Sequence, residues 1–253
     1  MKGKNAYRKL IIRLARVLFL VSVLALWSFT ARQNYKSQCQ EYIDVKIDYN
    51  NNLSFIDRAD VLEILNRHLD APLPGRALSD ISTGDMEQWL EANPWIARAG
   101  AFFDMHGNLH IDIVQKEPVV RVIHNNGVSY YLDKSGTLLP LSGKFTARVP
   151  VATGFPGKML PEQERNRLLR LALYLHNREF LRAFTEQIAW TEEGYVLIPK
   201  IGDQYVVIGD TGRLNEKFRN LRAFYRHVAS TQGWNRYQRI DLRFKDQIVC
   251  TKR

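Results

Sequence analysis

Asp210-Thr211-Gly212 is the one triplet here whose residue types match a catalytic signature, that of the aspartic proteases. Such chemistry needs two carboxylates sharing one proton, so the chain must carry a second triplet or pair with another copy. No second Asp-Thr-Gly or Asp-Ser-Gly occurs. The same residues have a plainer reading: Val206-Val207-Ile208 as a strand, Gly209 as a turn, and Asp210 or Thr211 capping a helix from about Arg213. The cap is the preferred reading; an anchored, exported hydrolase using Asp210 is the alternative. His106 and His110 are four apart, but Gly107-Asn108 between them indicates a turn, where that spacing does not aim both imidazoles at one metal. They read as solvated hairpin histidines. His68, His124, His176 and His227 have no ligand-like neighbours. A G-x-S-x-G elbow, a P-loop and an H-E-x-x-H pair are all absent. The residues point to no enzyme, no metal, no cofactor and no small-molecule substrate.

The elements that would carry any site follow an apolar, membrane-directed segment at residues 10–31. Its last fifteen residues carry no charge, and every charge before Ala31 is positive: Lys2, Lys4, Arg8, Lys9, Arg13 and Arg16. A spanning helix takes about 20 residues, which this segment reaches if Arg13 and Arg16 lift their charged ends to the headgroups. Trp27 suits an interfacial anchor, and the basic flank keeps the N-terminus cytoplasmic, so the C-terminal body is exported. A cleaved signal peptide is the competing reading, but Phe29-Thr30-Ala31 places a bulky residue where cleavage wants a small one. The expected order is a basic tail at 1–13, a transmembrane helix at 14–31, a linker at 32–41, a first domain at 42–115 and a second at 116–253.

The anchor flank explains most of the charge. The chain carries +10; without the six cations of residues 1–31, thirty basic residues face 26 acidic ones, leaving +4. That modest excess lacks the clustered stripe of a nucleic-acid binder. Cys39 and Cys250 lie at opposite ends of the exported part and read as two independent thiols rather than a disulfide framework.

Residues 42–47 alternate with apolar Ile43, Val45 and Ile47, the pattern of a half-buried strand. After the turn cluster Asn50-Asn51-Asn52, residues 55–69 take helical spacing, with Asp57 as N-cap and Val61, Leu65 and Leu69 on one face. A second helix starts at Ser82, carries Met86, Trp89 and Leu90 inward, and stops at Asn93-Pro94. Strands at 96–103 and 109–114 then flank the turn 104–108. This β-α-α-β-β unit packs two helices on a three-stranded sheet. From Val119 the texture is strand and turn: 119–124, 128–132, 137–141 and 148–152. One long helix is expected at 161–184, then strands at 187–191, 195–200 and 205–208. A last helix with Leu214, Phe218, Leu221, Tyr225 and Val228 on one seam precedes strands at 240–244 and 248–251.

The whole arrangement resembles the bacterial cell-division family FtsQ/DivIB, an α+β fold with one N-terminal transmembrane helix. The resemblance rests on motifs in order: Asn93-Pro94-Trp95-Ile96, residues 109–114 running into Lys116-Glu117-Pro118, and Tyr130-Tyr131-Leu132-Asp133 followed by Gly136. Val149-Pro150-Val151-Ala152-Thr153-Gly154, Ile208-Gly209 before the last helix, and Arg239-Ile240-Asp241-Leu242-Arg243-Phe244 complete it. It implies a POTRA domain followed by a strand-rich β domain with two helices. It also implies a non-enzymatic divisome scaffold in the inner membrane, enriched at the septum, that joins FtsB- and FtsL-like single-pass proteins and septal peptidoglycan machinery. Other divisome proteins would meet the POTRA domain. The implied FtsB edge is Phe244, Lys245, Asp246, Gln247, Ile248, Val249 and Cys250, with Arg213, Lys217, Asn220 and Phe224 on the neighbouring helix. An exposed strand offers unpaired amides and carbonyls to a partner strand. The same residues can instead complete the chain's own sheet, with Lys245 as a gatekeeper against aggregation.

Overall fold

The computed structural model describes residues 17–28, 38–49, 53–229, 231, 233 and 236–253. The basic tail, both ends of the apolar segment, linker residues 32–37 and the Asn50-Asn51-Asn52 cluster lie outside them. Residues 17–28 form a helix, α1, with exposed apolar side chains. Among the described residues no helix is long and apolar enough to cross a membrane. The remainder is α+β and divides into two compact units. The first runs to Asp48 and resumes at Ile56–Val114; the second takes Tyr49–Phe55 and Gln115–Arg253.

In the first unit, β1 (Ile43–Asp48), α2 (Arg58–His68), α3 (Thr83–Glu91), β2 (Ile96–Phe103) and β3 (Leu109–Gln115) follow in order. The sheet order is β1-β3-β2, with β1 and β3 parallel. Asp57 starts α2 with a full capping box: its carboxylate accepts from Asp60 N, and Asp60 accepts from Asp57 N, both at 3.0 Å. Val61 and Leu65 then bury one helix face. Ser82 caps α3 by accepting from Asp85 N, which delivers Met86 and Leu90 to the core; Trp89 is only half-buried and stacks on His68. Trp95 is buried after the Pro94 stop. The expected linker is partly built into this unit. Cys39 is buried, Cys39 N donates to Arg76 O, Gly75 N donates to Cys39 O, and Gln40 N donates to Gly107 O.

The second unit contains β4 (Pro118–His124), β5 (Ser129–Asp133), β6 (Leu138–Leu139), β7 (Val151–Phe155), α4 (Glu162–His176) and α5 (Glu179–Phe184). Then come β8 (Thr185–Thr191), β9 (Gly194–Pro199), β10 (Tyr205–Gly209), α6 (Leu214–Phe224), β11 (Tyr237–Asp241) and β12 (Val249–Lys252). One nine-stranded sheet runs β12-β11-β10-β9-β8-β7-β4-β5-β6. Two parallel steps, β7 to β8 and β10 to β11, are crossed by helices. Both steps move toward β12 with strands pointing the same way, so right-handed crossovers put α4, α5 and α6 on one face. Their apolar stripes meet the sheet in a single core that includes Leu168, Leu171, Leu175, Phe218 and Leu221.

Two helices differ from the expected spans. The single helix expected at 161–184 is broken where Arg178 takes an extended backbone (φ −127°, ψ 111°), so α5 sets off in a new direction. The last helix gives way at Tyr225–Ala229 to a wider π-type turn. Close packing of β7 on β8 leaves no room at Gly154: a Cβ there would stand 2.3 Å from Trp190 O, and its φ is +87°. Gly154→Ala is therefore expected to destabilise the protein by at least about 2 kcal/mol, read as a lowered denaturant midpoint with unchanged slope.

Candidate functional site

β12 lies at one end of the nine-stranded sheet and, among the described strands, pairs only with β11, in the register Tyr237↔Lys252 to Asp241↔Val249. Its other side offers the unpaired backbone groups that strand addition uses. Ile248 and Cys250 pack against the core, while Val249 points outward at 45% exposure. The expected edge is thus shared between two structures. Phe244, Lys245, Asp246 and Gln247 form a turn, Ile248 leads out of it, and the strand runs from Val249 through Cys250 to Lys252. Composition alone reads Phe244 and Ile248 as strand. The turn is imposed from elsewhere: Arg213 Nη2 donates to Arg243 O at 2.9 Å, and Asp246 N donates to Glu216 Oε1 at 3.1 Å. Asp246 accommodates this with φ of +55°, which aspartate tolerates better than most residues. Glu216 was not foreseen as part of the site; its only sequence signal is the three-residue spacing from Arg213, to which it is paired.

The four helix residues separate in the same way. Arg213 is exposed at the N-cap position of α6 and Asn220 is half-buried. Lys217 and Phe224 turn inward, which withdraws both from contact with a partner. Lys217 is 3% exposed, and its ammonium donates to Ile208 O, Asp210 O and Asp210 Oδ1 at 2.9, 2.9 and 2.8 Å. This also revises the Asp210 cap. Arg213, with φ of +49° and no side-chain cap bond, precedes the helix, whereas Asp210 accepts from Lys217 and from Gly212 N. The Lys217 ammonium and then the Gly212 amide hold the Asp210 carboxyl below its ordinary value. A proton-sharing dyad would set a second carboxylate against the first, where Asp210 has an ammonium.

Beneath the edge, Asp241 is buried between two arginines. Arg239 Nη2 and Arg243 Nη2 donate to Asp241 Oδ2 at 2.8 and 2.7 Å, and both arginines also reach Glu193. Burial pushes the Asp241 carboxyl up; Arg243 and Arg239 overcome that and bring it down to about 2.

The histidines are not all free hairpin groups. His106 is exposed, but His110 is half-buried, 3.2 Å from Asp44 and 3.3 Å from Asp104, and stacked on Phe102. The β1–β3 register sets Asp44 opposite His110. Among the described residues no group of His, Cys, Asp and Glu could hold a metal, and Cys39 and Cys250 are free thiols.

A family model described as FtsQ/DivIB, C-terminal related matches residues 117–251, more than half of the chain. The chain belongs to the FtsQ/DivIB-related family. A POTRA-like domain model matches residues 37–114, which takes in the first unit's sheet and both its helices. Among curated relatives, cell division protein FtsQ of Salinibacter ruber is 29% identical over 193 residues, covering 71% of this chain and 73% of that protein. FtsQ of Rhodothermus marinus is 28% identical over 193 residues, with 72% and 70% covered. Within this FtsQ/DivIB-related domain, β12 is a sheet edge that follows a turn clamped to α6.

Two outcomes follow. Lys217→Met strands the carbonyls of Ile208 and Asp210 without their donor and is expected to cost on the order of 3 kcal/mol, measured by urea unfolding. The Asp241 carboxyl is lowered by folding from an unfolded value of about 3.9. Its contribution is therefore complete above about pH 4 and is lost as pH falls toward 2. Arg239→Gln removes one lowering group, so acid unfolding followed by circular dichroism should shift to higher pH.

Proposed function

We propose that this chain is a membrane-anchored, non-enzymatic scaffold of bacterial cell division. Residues 10–31 anchor it in the inner membrane with the N-terminus cytoplasmic and the body in the periplasm, and it concentrates at the septum. Its partners are FtsB- and FtsL-like single-pass proteins, through which it links septal peptidoglycan machinery, and other divisome proteins that meet the POTRA domain. The observation that carries this reading is the open β12 edge at the end of a sheet whose domain belongs to the FtsQ/DivIB-related family. The basic flank of the apolar segment supports the orientation.

In the proposed contact an extended partner segment pairs with β12. Backbone hydrogen bonds supply affinity, and exposed alternate side chains such as Val249 supply selectivity. Arg213 and Asn220 border the approach, while Lys217 and Phe224 act from inside by fixing α6.

The test is depletion in cells, which should give filaments without septa, followed by rescue with variants. Val249→Asp adds a charge at an exposed edge position and leaves the core untouched. It should fold normally, lose about tenfold or more in co-purification of the FtsB-like partner, and fail to rescue. Normal septation on depletion sinks the scaffold role, and undiminished partner capture by Val249→Asp sinks the edge.

A further inference from the structure

The break at Arg178 opens a groove between α5 and α6 that the strand-edge reading does not use. Its volume is about 940 Å³. Arg178 lines one wall, and Arg219, Arg222 and Arg226 line the other. Glu179 is the one carboxylate among the lining residues.

The arginines on the α6 side recur at offsets 0, 3 and 7, the spacing of one helix face. They span about 10 Å along the axis, and the wider turn at Tyr225–Ala229 carries the last of them. Arg178 is held in advance. It donates to Tyr174 O and to Asn215 Oδ1 and lies over the Tyr174 ring at 3.5 Å, so less side-chain freedom is lost when an anion docks there. The floor between these cations is apolar. Phe218 stacks on Tyr174, and Phe180, still 37% exposed, stacks on Phe184. Ala183 and Ala223 are exposed on opposite walls, where small side chains let another backbone approach closely.

The geometry points to a docking groove for an acidic amphipathic α-helix of a partner protein, laid along α6 with carboxylates at i and i+3 or i+4 meeting Arg219 and Arg222. Its apolar side chains rest on Phe180 between Ala183 and Ala223. Charge selects the partner: four arginines face one glutamate. Shape selects a helix, because a flat bilayer surface cannot reach the floor of a cleft and an extended strand finds no open backbone edge between two helices. The groove works whether or not β12 takes a strand.

The test uses the full-length protein in neutral-lipid nanodiscs. The probe is a fluorescent synthetic helix of alternating Leu and Glu faces, compared with the same peptide carrying Gln in place of Glu. The acidic peptide should bind, weaken as salt rises, and exceed the Gln peptide by about tenfold. R219Q/R222Q should lose binding by about tenfold with an unchanged circular dichroism spectrum, and A223W, which fills the groove, should block it. Val249→Asp should leave binding intact, which separates this surface from the strand edge. Equal binding of the Gln peptide, or full binding by either groove variant, overturns the proposal. Capture of short-chain phosphatidylglycerol at these arginines without capture of the acidic peptide overturns it in favour of a lipid ligand.

Discussion

An ammonium ion removed from water must find an acceptor for each of its three protons or unfold what surrounds it. Lys217 meets that demand with Ile208 O, Asp210 O and Asp210 Oδ1. The consequences spread along the chain. The contact pins the first turn of α6 to the end of β10 and fixes the direction in which Arg213 and Glu216 project. Those two side chains hold the turn at residues 244–247 through Arg243 O and Asp246 N. The turn, in turn, decides where β12 begins. The geometry of an exposed sheet edge therefore rests on a cation with almost no exposure of its own.

Local signals made most of the architecture legible. The Asp57 cap, the four-residue spacing of Val61 and Leu65, and the alternation of Leu109, Ile111 and Ile113 each act within a few residues, and the observed elements follow them. What stayed hidden was imposed across distance. Leu175, Leu181 and Phe184 continue an apolar stripe that composition reads as one helix, although the backbone turns away at Arg178. His110 gains Asp44 from the β1 pairing, 66 residues away. Lys217 carries the residue type of a solvated helix face; only the three carbonyl and carboxylate oxygens at the end of β10 explain its burial. Of the candidate site, the terminal strand was legible from its apolar residues, but the turn before it depends on Glu216, thirty residues earlier.

The two sheets treat their edges differently. β2 borders the sheet of the first unit, and two of its amides are already taken: Ala99 N donates to Glu91 Oε1 and Ala101 N donates to Glu87 Oε1. Carboxylates from α3 thus occupy groups that an added strand would need, a side-chain defence of the kind natural edges use. In the second unit β6 is only two residues long and is followed by Pro140, which limits pairing there. β12 has neither device.

The hydrogen bonds that seat Cys39 and Gln40 on the first unit set a mechanical limit. For any anchor that leaves the bilayer at Ala31, only residues 32–37 separate the lipid from a fixed point in folded protein. Six residues reach no further than about 20 Å even when drawn out fully. Under the proposed anchor, the first unit would be a load on a short leash: pulling on the body would be transmitted to the membrane after little slack, and its search volume would be a shallow shell over the lipid surface. Within such a shell, neighbours rooted in the same bilayer meet at high effective concentration.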